Sequence, residues 1–530
     1  MRPPEEETGP EDIAAVVPAD GDGTFPDGVP PAAPALAPAE PVREAVSAPV
    51  LRAILTIGII QAGTMAFYLV RSKITAVTVG PVGVGTISVV DQVVALVTQV
   101  STFSLPYAAV KFLSAAHSES REAFARQYAA FLRALLTVSI VGSAAGITIV
   151  SLWPSVLGPK VSGSQGLVRL ALLAIPATNL AGLLTNAIAA ARRTHASALM
   201  GLWTAAALAV CCGSGILAGR LPGFYIGTVT AWILVAAGGL IYLGRKEKLS
   251  LSGPRVRLIE ELKEHKAILR FAAAIYAVSF STPLGYLVAR YAVVHAGDFH
   301  AAGILQAALG PALALVTLMR SSNSLFLTPL MNRRIDEREK FRGAIDFLRA
   351  FSLATGVVAL PILLFPHLLI GILYSSKFYE AAAVSYLFVV AETVQLLAGV
   401  NQALLIGLDQ IGTHVVISMT GDAFIAFASL ALVPRMGIRG VALAFLGNGL
   451  LIFALTAWRI WKTHRMAIAR AAGWLPLLTV AAMELLGDLA EDFPTNEPVV
   501  LALKAAVGAA IGILIVTSKP VRTVFRFRSG

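Results

Sequence analysis

Apolar runs of about 20 residues or more recur from Val50 to Val516. Each is long enough to cross a bilayer core of roughly 30 Å as a helix. The runs do not alternate polar and apolar residues over segments of about 10, so a membrane β-barrel is excluded. The pattern predicts about 14 spans, near residues 51–78, 84–110, 127–152, 166–190, 196–219, 222–244, 267–295, 299–328, 344–374, 380–407, 411–434, 437–461, 471–488 and 498–517. The thirteenth is interrupted by Pro476, Glu484 and Asp488.

Two spans carry the same polar stripe, 218 residues apart: Gln61, Thr64, Tyr68 and Arg71, then Ser279, Thr282, Tyr286 and Arg290. Three pairs keep the offset and the arginine slips by one. The spacing keeps each stripe on one helix face, and polar groups in lipid are costly unless that face meets a cavity or a partner. The offset extends to Gly85 and Gly303, Ser88 and Gln306, and Thr102 and Arg320. It drifts by a few residues for Trp153-Pro154 and Phe365-Pro366, Asn186 and Asn401, and His195 and His414. Six spans per half is an even number, so the halves enter the membrane in one orientation, as a parallel repeat about an axis along the membrane normal.

Composition agrees with this class: the 530 residues are 56% apolar and 14% charged. The formal charge of +11 is placed as the positive-inside rule places it, which argues against nucleic acid and for anionic phospholipids as partners of the basic loops. With the N-terminus inside, the inner connections hold 27 Lys and Arg and the outer ones 8, which predicts an inner-membrane protein with both termini cytoplasmic. Cys211 and Cys212 are adjacent in an apolar run and read as small core residues, with no disulfide or zinc spacing.

The expected organisation is a Pro-, Ala- and acid-rich disordered cytoplasmic tail at 1–48, a six-helix bundle at 49–244, a basic linker at 245–266, a second six-helix bundle at 267–465, and two extra helices with a basic C-terminus at 466–530. The linker reads either as a hinge or as a tether with a topogenic charge cluster.

Asp91, Arg320, Glu392 and Asp422 fall within predicted spans, where an isolated central charge costs at least about 2.5–3.5 kcal/mol. Arg71 and Lys73 are roughly 200° apart around a helix, so Arg71 continues the stripe toward a lumen while Lys73 is expected to snorkel to headgroups. Arg290 and Arg71 are expected to approach each other across the two halves. Arg320 either snorkels or lines the cavity. Glu392 and Asp422 are candidates for ion coupling or for a structural interhelix hydrogen bond. The pattern holds no phosphate-binding P-loop, no dinucleotide fingerprint, no histidine metal cluster and no catalytic constellation, so no enzyme activity, cofactor or metal is expected.

Arg71-Ser72-Lys73 through Gly80-Pro81-Val82-Gly83-Val84-Gly85, with Phe365-Pro366 to Phe378 and Pro434-Arg435-Met436-Gly437-Ile438-Arg439-Gly440-Val441-Ala442, resemble the polysaccharide (O-antigen, exopolysaccharide) flippases of the multidrug/oligosaccharidyl-lipid/polysaccharide (MOP) exporter superfamily. The resemblance covers about 50–465. It implies an all-α polytopic membrane protein of two pseudo-symmetric six-helix bundles around a central cavity, plus two C-terminal helices here. It implies a lipid-linked oligosaccharide substrate, on undecaprenyl pyrophosphate, moved from the inner to the outer leaflet by alternating access, and a polysaccharide polymerase and glycosyltransferases as partners. The anionic substrate would meet Arg71 and Arg290, with Gln61, Thr64, Tyr68, Thr282, Tyr286, Asp91 and Arg320 along the cavity. The alternatives are a multidrug (MATE-type) drug/cation antiporter, in which acids rather than arginines should dominate the cavity, and a lipid II flippase. The two terminal helices match the lipid II branch in number, but the Arg-Asp pattern expected near the end of its first span is missing.

Overall fold

The computed structural model describes residues 48–102, 105–158, 160–191, 193–246, 266–322, 327, 330–331, 335–492, 504, 506 and 508. Among them the secondary structure is helical, with no strand. The tail, nearly all of the linker and most of the fourteenth predicted span lie outside these residues.

In the first half, α1 (Ala48–Thr102) has 55 residues. As a straight rod it would reach about 80 Å, far beyond one bilayer core. It divides at Gly80, whose φ of 66° and ψ of −171° suit glycine alone, and Pro81 then starts the second arm where no N–H is needed. α2 (Leu105–Glu119) follows, then α3 (Arg121–Leu152), capped by Ser120, whose side chain accepts from Ala123 N at 3.0 Å. The predicted span 166–190 is two helices, α4 (Gln165–Leu172) and α5 (Ile175–Ala190), bent by 42°. α6 (Thr194–Lys246) breaks at Gly219 and Arg220 and folds back, so that Gly215 lies against Gly223.

The second half contains α7 (Lys266–Ala296), α8 (Phe299–Ser322), α9 (Glu337–Leu364), α10 (Pro366–Leu373), α11 (Ala382–Gly407), α12 (Ile411–Met436) and α13 (Ile438–His464). The predicted span 344–374 is interrupted at Phe365, where Pro366 opens α10. Beyond it lie α14 (Ile468–Ala472) and α15 (Leu475–Asp492), which packs on α9 and α11. Arg349 of α9 holds the Ala471 and Ala472 carbonyls, at 2.5 and 3.2 Å.

Eight described helices are long and apolar enough to cross a membrane, nine when α4–α5 counts as one, and α1 and α6 each contain two arms. The all-α polytopic architecture is the one the sequence predicts.

The repeat is visible in the packing. The first arm of α1 lies along the first arm of α6: a Cβ on Gly63 would stand 3.2 Å from Leu202, and one on Gly213 3.4 Å from Ile74. In the second half α7 lies against α12 in the matching way, with Gly285 against the Asp422 carbonyl. The turns match too. Arg220 (φ 50°, ψ −132°) and Gly437 (φ 56°, ψ −135°) share one backbone conformation at the turn between the last two spans of each half. Glycine adopts it freely; arginine does so under strain.

Candidate functional site

The second arm of α1 packs against α8, and this contact joins the halves. At its centre Gly85 meets its own repeat mate, Gly303. A Cβ on Gly85 would fall 1.8 Å from Phe299 O, and one on Gly303 would fall 1.9 Å from Pro81 O, so no side chain fits at either position. Around this contact the first half grips the second by main-chain carbonyls. Lys160 Nζ donates to Val294 O, His295 O and Gly297 O at 2.9, 3.1 and 2.6 Å, placing a cation on the last turn of α7, where the helix dipole is negative. Lys73 Nζ donates to Gly371 O at 2.6 Å. Lys73, expected to snorkel to headgroups, is thus engaged by a main-chain carbonyl of α10.

One helical turn further along lies a cavity of about 220 Å3. Its wall combines Arg71, Ser72 and Thr75 from the first arm of α1, Ser88, Asp91 and Gln92 from the second, Phe224 from α6, Arg290 from α7, Gln306 from α8, and Tyr374. Two repeat-related pairs thus face one space: Arg71 with Arg290, and Ser88 with Gln306.

The two arginines are held differently. Arg71 is half-buried, its guanidinium 5.9 Å from the centre of the Tyr68 ring and 5.9 Å from that of Phe224. That is cation–π range, which steadies the charge without using its N–H donors. Arg290 is only 8% exposed. Its Nη2 donates to Gln306 Oε1 at 2.9 Å, while its buried Nε has no hydrogen-bond partner. A buried guanidinium N–H without an acceptor is costly, so Arg290 keeps a donor that the described residues leave unsatisfied.

Asp91 is open to the cavity rather than enclosed. Its Oδ1 accepts from the Tyr225 hydroxyl at 3.1 Å. Both arginines act on it electrostatically, yet among the described residues no salt bridge joins Asp91 to either. Gln92 reaches across the halves, its Nε2 donating to Pro283 O at 3.0 Å.

Other expected cavity residues go elsewhere. Thr282 donates to Asp422 Oδ2 at 2.9 Å and Ser281 to the same oxygen at 2.5 Å, so Thr282 serves the α7–α12 contact. Tyr286 packs edge-on against Phe445 of α13, centroids 4.8 Å apart. Thr64 returns its hydroxyl to Ile60 O at 2.9 Å. Gln61 and Tyr68 are exposed and lie off the cavity wall, although Tyr68 supports Arg71. Asp422 and Glu392 are both buried inside the second half, away from the cavity. The Arg320 side chain lies outside the described residues.

The stripes predicted the two arginines but not the groups around them. Phe224 and Tyr225 come from α6, and Tyr374 from the residue that ends α10, at no fixed spacing. Gln92, one residue past Asp91, gave a signal of its own: an amide inside a span needs a partner.

No family model matches the chain, and no curated protein sequence does. Solved structures do. The lipid II flippase MurJ in an inward closed conformation aligns over 87% of this chain and 98% of its own, with a TM-score of 0.65 and 12% identity. The MATE multidrug transporter DinF-BH aligns over 81% and 98%, with a TM-score of 0.54 and 18% identity. A mutant of the Vibrio cholerae MATE transporter VcmN aligns over 78% and 96%, with a TM-score of 0.53 and 14% identity. At these identities the likeness is one of fold: the helices of this chain follow the architecture that a lipid II flippase and multidrug transporters share.

Proposed function

We propose that this chain is a MOP-superfamily transporter that moves a lipid-linked oligosaccharide across the cytoplasmic membrane, from inner to outer leaflet, for surface polysaccharide synthesis. The observation that carries the reading is the pair of guanidinium groups, one from each half, on the wall of one cavity, with the Arg290 Nε lacking an acceptor. Guanidinium groups hold phosphate oxygens through paired, charge-assisted bonds, and a lipid-linked sugar carries its phosphates between lipid and glycan. Loop charge orients the Gly80 end outward, with both termini cytoplasmic. In the form described here Lys73, Lys160 and the Gly85–Gly303 contact close that end, and alternating access would require them to part. Anionic lipids at the basic inner loops, and polymerase and glycosyltransferase partners, belong to the same reading.

The test is flipping of a fluorescent lipid-linked oligosaccharide in proteoliposomes. Arg71→Ala and Arg290→Ala, folded and present at normal levels, are expected to abolish it; flipping at the normal rate in the double variant sinks the assignment.

One feature favours a second reading, an ion-driven antiporter of organic cations. Asp422 is a buried carboxylate clamped by Ser281 and Thr282, a placement suited to an ion-coupling group, and Glu392 is buried on the adjoining α11. That reading predicts cation efflux from vesicles, lost in Asp422→Asn, with no effect of Arg71→Ala on glycan export.

A further inference from the structure

The cavity has two kinds of wall. Arg71 and Arg290 offer only donors, since a guanidinium has no acceptor. Opposed to them, Ser88, Asp91 and Gln92 stand at i, i+3 and i+4 on the second arm of α1 and therefore share a face. Most of their donors are already used, one N–H of the Gln92 amide excepted. The Ser88 hydroxyl donates to Gly85 O at 2.9 Å, and the Gln92 amide nitrogen to Pro283 O at 3.0 Å. Ionised Asp91 has no donor at all. What this face offers the cavity is mainly acceptors, a carboxylate, an amide oxygen and hydroxyl lone pairs, beside one remaining amide N–H of Gln92.

A fully ionised phosphate ester carries only acceptors on its phosphate. Seated between the arginines with no donor elsewhere in the ligand, it would leave that second wall facing either water or other acceptors. Asp91 makes no direct salt bridge to either arginine among the described residues, and the Tyr225 hydroxyl holds it in place. The second half has no equivalent wall, because the positions 218 residues on from Asp91 and Gln92 are Leu309 and Gly310.

We propose that Asp91 is a specificity-determining residue: its carboxylate, with Gln92 Oε1, accepts hydrogen bonds from a hydroxyl or ammonium group that the ligand carries beside its phosphate. The proposal rests on the reading above, in which Arg71 and Arg290 hold that phosphate. The cavity then reads two things at once, an anion and an adjacent donor, and it discriminates against phosphates that lack the donor. Because only one half carries the acceptor wall, the ligand enters in one orientation.

The test is calorimetric titration of the full chain in detergent with inorganic phosphate, cyclohexyl phosphate, glucose 1-phosphate and phosphoethanolamine. Glucose 1-phosphate or phosphoethanolamine is expected to bind roughly tenfold tighter than cyclohexyl phosphate, the value of about one well-made hydrogen bond. Which of the two prevails says whether a hydroxyl or an ammonium is read. Asp91→Ala is expected to reduce that ratio to about one while leaving cyclohexyl phosphate bound as well or better. Asp91→Asn, which keeps the volume, is expected to retain part of the ratio. Equal binding of all four by the unmodified chain, or a ratio that survives Asp91→Ala, overturns the role of Asp91 while leaving the arginine site intact. Failure of every phosphate to bind, or binding unaffected by Arg71→Gln with Arg290→Gln, overturns the phosphate reading and this proposal with it. The unmodified chain and its ligand series decide the matter even if the Asp91 variants do not fold.

Discussion

Thr64 and Thr282 are repeat mates, yet Thr64 bonds back to its own helix at Ile60 O while Thr282 reaches out to Asp422. Tyr68 and Tyr286 divide in the same way: one is 40% exposed beside Arg71, the other packs against Phe445. Only the last pair, Arg71 and Arg290, keeps a common destination. One polar pattern has therefore been put to two uses. In the second half it fastens α7 to α12 and α13; in the first, Thr64 bonds within its own helix and Tyr68 stays exposed, and the first arm of α1 is held instead by Lys73, Arg71 and its close approach to α6. The threonine and tyrosine of the stripe thus bind neighbouring helices in the second half alone.

The comparison can be broken most severely at its common centre. Gly85→Ala and Gly303→Ala should each force the halves apart, because the added methyl meets backbone that cannot yield. Spin-label distances across the Gly80 end should lengthen in both variants and transport should be lost in both; an unchanged distance would show that the contact does not set closure. Next, Tyr286→Ala should cost about 3 kcal/mol, the usual scale for truncating a packed aromatic. Tyr68→Ala should cost far less, and thermal unfolding in detergent measures both. Thr282→Ala should then cost about 1.5–3 kcal/mol, the scale of a hydrogen bond to a charged group, while Thr64→Ala should be nearly silent. Equal losses in the two halves would erase the proposed asymmetry. The smallest effect is a gain: Arg220→Gly should stabilise by about 1 kcal/mol, by giving the first-half turn the residue that Gly437 already supplies to the second. No gain would mean that the Arg220 side chain repays its strain through contacts of its own.

How much of this was legible in the sequence depended on whether the cause was local. Span lengths, the turn at Gly80 and the shared arginines follow from periodicity and offset, which one strand of text contains. The bends at 173–174 and Phe365 were missed because apolar runs continue through them. The fate of Thr282 and Tyr286 was decided by Asp422 and Phe445, which lie more than a hundred residues away. The partner of Lys73 is hidden for the same reason: it is a carbonyl of α10, and carbonyls carry no signature in a sequence. Asp91 was legible as an oddity, a carboxylate within a span. The role proposed for it rests on neighbours whose own bonds, Ser88 to Gly85 O and Gln92 to Pro283 O, no sequence pattern displays.

The meeting of Gly85 with Gly303 carries a consequence for symmetry. In a symmetric homodimer, a residue near the twofold axis is the one that touches its own copy. Two covalently joined halves whose equivalent glycines meet reproduce that kind of self-contact within one chain. A side chain added on either half would strike the backbone of the other, so the two positions are bound to the same residue by one piece of geometry.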